Sequence, residues 1–268
     1  MNKLLALALL WGAAAPAADV TAPDDRAAAL LARLAERTAA VQSFRGRATL
    51  TLAGEEAGTY AVAFGFAAPD RTRLEVTGPL GAPGPVLTAS GGRLLGYDPG
   101  TRVAVVGADD HETVAAALGL DLGGSLADVA AWLAGLAPLY EGQELGVAAA
   151  EEEGEPALVT LSWRRPGAAT PFQKLTLAAE TAEPRLYRRF EGATCVAEIT
   201  YADWRNAGGV RMPYAVTIKT DTLTAGIKAA KMDVNVALDD ALFDTAPPST
   251  AREVVTWPLE GGATDDGR

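Results

Sequence analysis

From Phe44 onward apolar and polar side chains alternate in run after run, and turn residues break the runs every eight to twelve residues. Successive side chains of a strand point to opposite faces, so a period of two demands half-buried antiparallel strands. RGRATLTLA, TYAVAFGFA and RTRLEVT open the series. VLTAS, RLLGYD and RVAVVG follow, joined across Gly91-Gly92 and Asp98-Pro99-Gly100, both hairpin signals. LGVAAA, ALVTLSWRR, FQKLTLAA, RLYRRFE, CVAEITYADW, PYAVTIKT and AGIKAAKMDVNV complete it.

Helical spacing replaces alternation in two regions. In DDRAAALLARLAERTAAVQ, Ala27, Leu30, Leu31, Leu34 and Val41 share a face, and Asp24 or Asp25 can cap the start. Between the sixth and seventh strand segments lie ADDHETVAAALGL and SLADVAAWLAGL. The second begins at Ser125 with Asp128 three residues on, a capping-box variant, and places Val129, Trp132, Leu133 and Leu136 on one face. ALDDALFDTAPP reads as a short helical turn. The expected fold is mainly β (α+β): one antiparallel sheet of about ten or eleven strands, too wide to stay flat and so curled into a half-barrel. Amphipathic helices on its concave side form a lid over an apolar cavity. A single domain is expected over residues 24–250, with a C-terminal tail at 251–268 and a solvated hairpin loop at EEEGE, 151–155.

Lys3, the apolar run Leu4 to Trp11 and the small residues ending in Ala15-Pro16-Ala17 read as a cleavable signal peptide over residues 1–18. The mature chain is expected to be exported, and the lone cysteine, Cys195, can form no disulfide within one molecule. No cysteine ends the leader, so lipidation there is not expected. The formal charge of −11 argues against nucleic acid and weighs against an anionic membrane surface, while leaving room for a local basic patch.

Catalytic signals are weak. His111 is the only histidine and lies in the first turn of a helix, without the partner ligands a metal site needs. No G-x-S-x-G surrounds a serine, and Cys195 reads as a small buried hydrophobe within a strand. Neither an enzyme nor a metal or cofactor is expected. Trp132, Leu133 and Leu136 either face a ligand or pack onto the sheet. Phe64, Phe66, Trp163, Phe172, Tyr201 and Trp204 sit in or beside strands, and those facing the concave side either wall a cavity or fill it. Leu80 stands apart. In Gly78-Pro79-Leu80-Gly81 its neighbours make a core strand position improbable, which leaves a leucine that protrudes or a loop that folds back over it.

The order of these segments resembles the LolA/LolB family of periplasmic lipoprotein carriers and outer-membrane receptors, over residues 28–250 or so. RLEVTGPLG followed by SLADVAAWLAGL is similar to LolB, and AAPDRTRLEV…SGGRLLGYDPGTR is similar to LolA. ITYADWRNAGGVRMPYAVTI and VNVALDDALFDTAPP resemble the family's closing strands and ending. The resemblance implies a half-open barrel with a helical lid, an acyl-chain cavity and a protruding leucine that assists transfer to the membrane, here Leu80. It implies acylated lipoproteins or another amphiphilic lipid as cargo, an inner-membrane donor complex and outer-membrane contact. Trp132, Leu133, Leu136, Phe64, Phe66, Trp163 and Tyr201 are the candidate cavity residues. The chain departs from LolB in lacking the lipid-anchor cysteine. A second expectation is a non-enzymatic envelope-assembly or stress-sensing module of the same fold that binds a lipoprotein or a protein partner.

Overall fold

The computed structural model describes residues 25–257, apart from 55–56, 119–123, 137–143, 151–156 and 166. The expected leader at 1–18 and the acidic loop at 151–155 lie outside the described residues. Helix α1 (Asp25–Ala39) precedes β1 (Ser43–Ala53), β2 (Gly58–Ala67) and β3 (Arg71–Thr77). A 3-10 turn at Pro79–Gly81 leads into β4 (Pro83–Ser90), β5 (Arg93–Asp98) and β6 (Val103–Ala108). Helices α2 (His111–Leu118) and α3 (Leu126–Leu133) follow, then β7 (Glu144–Ala150), β8 (Leu158–Arg164), β9 (Gln173–Ala178) and β10 (Pro184–Glu191). The long strands β11 (Thr194–Ala207), β12 (Val210–Lys219) and β13 (Thr224–Val234) precede a 3-10 turn at Asp240–Phe243 and β14 (Glu253–Thr256).

The fourteen strands of the described residues form one sheet, in the order β14-β6-β5-β4-β3-β2-β1-β13-β12-β11-β10-β9-β8-β7. Neighbours pair antiparallel, except β14, which runs parallel to β6. The sheet is mostly β, open and curled, as alternation requires, but wider than ten or eleven strands. Every alternating segment forms a strand of its own. Residues Glu253–Thr256 add another inside the stretch expected to be tail, anchored where Arg252 N–H donates to Arg102 O (2.8 Å) and Trp257 N–H to Val106 O (2.7 Å). β-branched Val254 and Val255 suit that edge position.

β13 returns to pair with β1, which puts β1 and β2 in the middle of the sheet. Their inward positions, Phe44, Ala48 and Leu50 opposite Phe66, Val62 and Tyr60, face the concave side, and the residues between them face outward. The helices are fixed at their starts by side chains. The Ser125 hydroxyl accepts from Asp128 N–H (3.1 Å), and Asp128 accepts from Ser125 N–H (3.0 Å), completing the capping box. Asp110 accepts from Thr113 N–H (2.8 Å) at the start of α2. Asp109 reaches across to Leu126 N–H (2.7 Å), so one carboxylate ties the entry of α3 to that of α2.

His111 is exposed at the first position of α2. Cys195 is exposed as well, which corrects the expectation of a buried thiol. Unbroken alternation would put it on the side of buried Ala197, but the register shift between Arg189 and Phe190 pairs it with Phe190, whose ring lies beneath Lys174 on the outward face.

Candidate functional site: an apolar cavity beneath the third helix

The concave side of the sheet divides into a filled half and a hollow half. Over β8 to β11, Leu30 and Leu34 of α1 and Trp132 of α3 pack in one cluster with Leu161, Trp163, Leu175, Tyr187, Ile199 and Tyr201. Trp132 is 1% exposed and stacks on Tyr187 with ring centroids 5.3 Å apart. A second cluster joins Val41, Phe44, Phe66, Leu136, Met212 and Val234 at one end of the barrel, with Phe44 and Phe66 stacked at 5.1 Å. Over β1 to β4, β12 and β13 the space beneath α3 is open, a cavity of about 980 Å³. That lies at the upper end for ligand pockets.

The cavity is walled mainly by aliphatic side chains at inward strand positions, with the rings of Phe44, Tyr60, Phe64 and Tyr214 among them. Leu50, Leu52, Val62, Leu74, Val76, Leu87, Val216 and Ile227 line the sheet side, and Leu126, Val129, Ala130 and Leu133 line the roof from α3. Two of the wall residues, Val76 and Pro85, belong to the strands that carry the loop of Leu80. Thr72 supplies a polar point in this wall, and its buried hydroxyl has no hydrogen-bond partner among the described residues.

Of the residues singled out from sequence, Leu133 and Phe64 line this space. Trp132, Trp163 and Tyr201 belong to the filled half, and Phe66 and Leu136 to the second cluster. Burial pushes the Tyr201 phenol well above its usual range, with Tyr187 nearby adding to the effect. Most wall residues not singled out from sequence are Leu, Val and Ile, with Phe44, Tyr60 and Tyr214 among them. Their signal was the inward half of each alternating strand, which marks a face without telling a cavity wall from a filled core.

The roof is held at its far end by a polar cluster. The Arg37 guanidinium of α1 donates to the carbonyls of Gly135 (3.4 Å) and Arg211, and lies 4.6 Å over the Trp204 ring. Burial lowers the pKa of Arg37 to about 10. Nearby, Glu183, with a side chain 4% exposed, accepts from Arg211 Nε (2.8 Å) and from Arg185 (3.2 Å). Both guanidinium partners are needed to compensate a carboxylate so far from water. Gly135 adopts φ 66° there, and a Cβ would meet the Trp204 ring at 2.6 Å, so only glycine lets α3 end against the sheet.

Leu80 is the outlier of the surface. Its relative exposure is 108%, and its backbone is left-handed at φ 59°, ψ 19°. Gly78 N–H donates to Ala82 O (2.8 Å) across the base of the loop, and Gly81 N–H to Gly78 O (3.2 Å). The loop is therefore a closed turn that presents its leucine outward instead of folding back over it.

No family model and no curated protein matches the chain. Solved structures do share its fold. A DUF1329 family protein from Desulfovibrio piger superposes with a TM-score of 0.61 at 13% identity, over 81% of this chain and 95% of that one. A LolA superfamily protein from Nitrosomonas europaea gives 0.53 at 12% identity, over 80% and 97%. A domain assigned to outer membrane lipoprotein sorting, from Vibrio parahaemolyticus, gives 0.55 at 11% identity, over 80% and 95%. The architecture is that of LolA-like proteins, as the order of the sequence segments suggested.

Proposed function

We propose that this protein is a periplasmic carrier that shelters the acyl chains of a lipoprotein or another amphiphile beneath α3 and hands them on at the outer membrane. The observation that carries the reading is the cavity of about 980 Å³ walled mainly by apolar side chains. An empty space with such a wall favours apolar atoms over water. Each methylene transferred from water gains about 0.8 kcal/mol, in the cavity as in a bilayer. Cargo can therefore pass between the two with little change in free energy, which suits delivery better than storage. In this reading Leu133 and Phe64 touch the cargo, and Leu80 makes the brief contact with the acceptor membrane. Trp132, Trp163, Tyr201, Phe66 and Leu136 shape the space from behind.

Native mass spectrometry of protein purified from the periplasm tests this. Acylated species should copurify, and Ala130→Phe, which adds a ring to the roof of the cavity, should displace them while leaving the fold intact. A clean apo mass under gentle conditions, or cargo retained unchanged by Ala130→Phe, would count against the reading.

A further inference from the structure

The convex face of the sheet concentrates the opposite charge to the rest of the chain. On β1, β3 and β13 the outward positions hold Arg45, Arg47, Arg71, Arg73, Lys228 and Lys231, against Glu75 and Asp233. The pattern continues from β12 to β9 with Lys219, Arg188 and Lys174 against Glu198. Among the described residues nine cations thus face four carboxylates, Asp240 beside Arg71 being the fourth, on one surface of a chain whose formal charge is −11. With strands about 4.8 Å apart, this surface runs roughly 34 Å from β3 to β9.

Ion pairs take up Arg45, Arg71, Arg73, Arg188 and Lys231, but not the rest. Arg47 lies directly opposite Lys231 across β1 and β13, and like charges so placed destabilise a sheet. Arg47, Lys219 and Lys228 are exposed and have no ion-pair partner among the described residues. Between the cations the floor is small: Thr49, Ala61, Ala63, Gly65, Ala215 and Thr217. A Cβ on Gly65 would meet nothing within 4 Å. A groove of about 550 Å³ lies here, lined by Arg45, Arg47, Arg73 and Lys231, by Glu75 and Asp233, and by Leu238, Leu242 and Phe243. Leu242 is 41% exposed.

We infer that this convex face docks on an anionic lipid surface. A tight protein interface is anchored by large side chains seated in pockets. From β3 to β12 the outward positions between the charges offer Ala, Gly and Thr, and the outward Leu186 and Phe190 of β10 are half-buried, Phe190 beneath Lys174. Spread cations over a low floor suit headgroups that move to meet them, and an exposed leucine at the rim adds an apolar contact. Docking through this face requires neither cargo in the cavity nor Leu80.

Cosedimentation with vesicles tests it. Vesicles of three parts phosphatidylethanolamine to one part phosphatidylglycerol should bind the protein at about 50 mM salt and release it at about 500 mM, where screening is short-ranged. Phosphatidylcholine vesicles should bind it at least tenfold more weakly at the lower salt. The triple variant Arg47→Glu, Lys219→Glu, Lys228→Glu should lose about a hundredfold, since each cation near such a surface is worth roughly fivefold. Arg252→Glu, an exposed cation on the far edge of the sheet, should bind like the parent. Leu80→Asn should keep the ratio between low and high salt. Equal binding to phosphatidylcholine at low salt, an undiminished triple variant, or loss of the salt ratio in Leu80→Asn would each overturn the inference. So would a protein that ignores all vesicles yet binds poly-glutamate through the same three cations, because the face would then be a dock for an acidic protein.

Discussion

Replacing Leu80 with glycine should leave the protein as stable as before, or more so, while removing the apolar membrane contact proposed for it. The left-handed conformation at φ 59° costs a residue with a Cβ about 1–2 kcal/mol. Glycine escapes that cost but loses about 0.5–1 kcal/mol of chain entropy on folding. The side chain is fully exposed, so its removal forfeits no packing. The net change lies between neutral and about 1.5 kcal/mol of stabilisation, up to roughly 5 °C in melting temperature for a domain of this size. Membrane contact should move the other way. Burying a leucine side chain gains about 1.5–3 kcal/mol, so its loss should weaken partition onto neutral vesicles by between about tenfold and about a hundredfold. Thermal denaturation followed by circular dichroism gives the first quantity. Vesicle cosedimentation at high salt, where the cationic face is screened, gives the second. A destabilisation of more than about 1 kcal/mol would show that Leu80 packs against something, and unchanged partition would remove its role at the membrane.

Trp132 and Leu133 are adjacent, yet they should behave differently. Trp132→Ala should cost about 3–5 kcal/mol in urea denaturation, because the ring is fully buried against Tyr187, and Leu133→Ala clearly less, with weaker retention of acyl cargo. Arg37→Met should cost about 1–3 kcal/mol and speed hydrogen exchange over residues 130–136, since it removes the donor to Gly135 O and Arg211 O. Burial, with Asp128, Asp70 and Asp110 nearby, raises the pKa of Asp109. The native state therefore holds that proton longer than the unfolded chain, and stability falls as pH rises from the ordinary carboxylate range through the raised native value. Asp109→Asn keeps an acceptor for Leu126 N–H and should flatten that slope in melting temperature against pH.

The strands and helices were legible because each depends on local periodicity. Alternation from Phe44 onward and the Ser125 capping box needed no knowledge of distant residues. β14 was missed because four residues carry too little pattern, and its partner β6 lies some 150 residues earlier in the chain. The exposure of Cys195 was missed because alternation assumes an unbroken register, and the shift beside it turns its side chain to the other face. The cationic face had a trace in sequence. Arg45-Gly46-Arg47 and Arg71-Thr72-Arg73 place two arginines each on one side of a strand. That both pairs share one surface with Lys228 and Lys231 depends on β13 returning to lie beside β1.

The amino-acid sequence by itself determined that this chain builds a wide antiparallel sheet with amphipathic helices and that Leu80 sits in a turn. Periodicity and turn chemistry act over a few residues. Only the tertiary structure decided which part of the concave side is filled. Trp132 and Leu133 are neighbours on α3, but one enters the core with Trp163 and Tyr187 while the other roofs an open space. The difference is set by where α1 and the large rings of β8 to β11 come to rest on the sheet. A helix stripe is apolar whether it meets a packed surface or a void, so that choice belongs to the packing of distant segments.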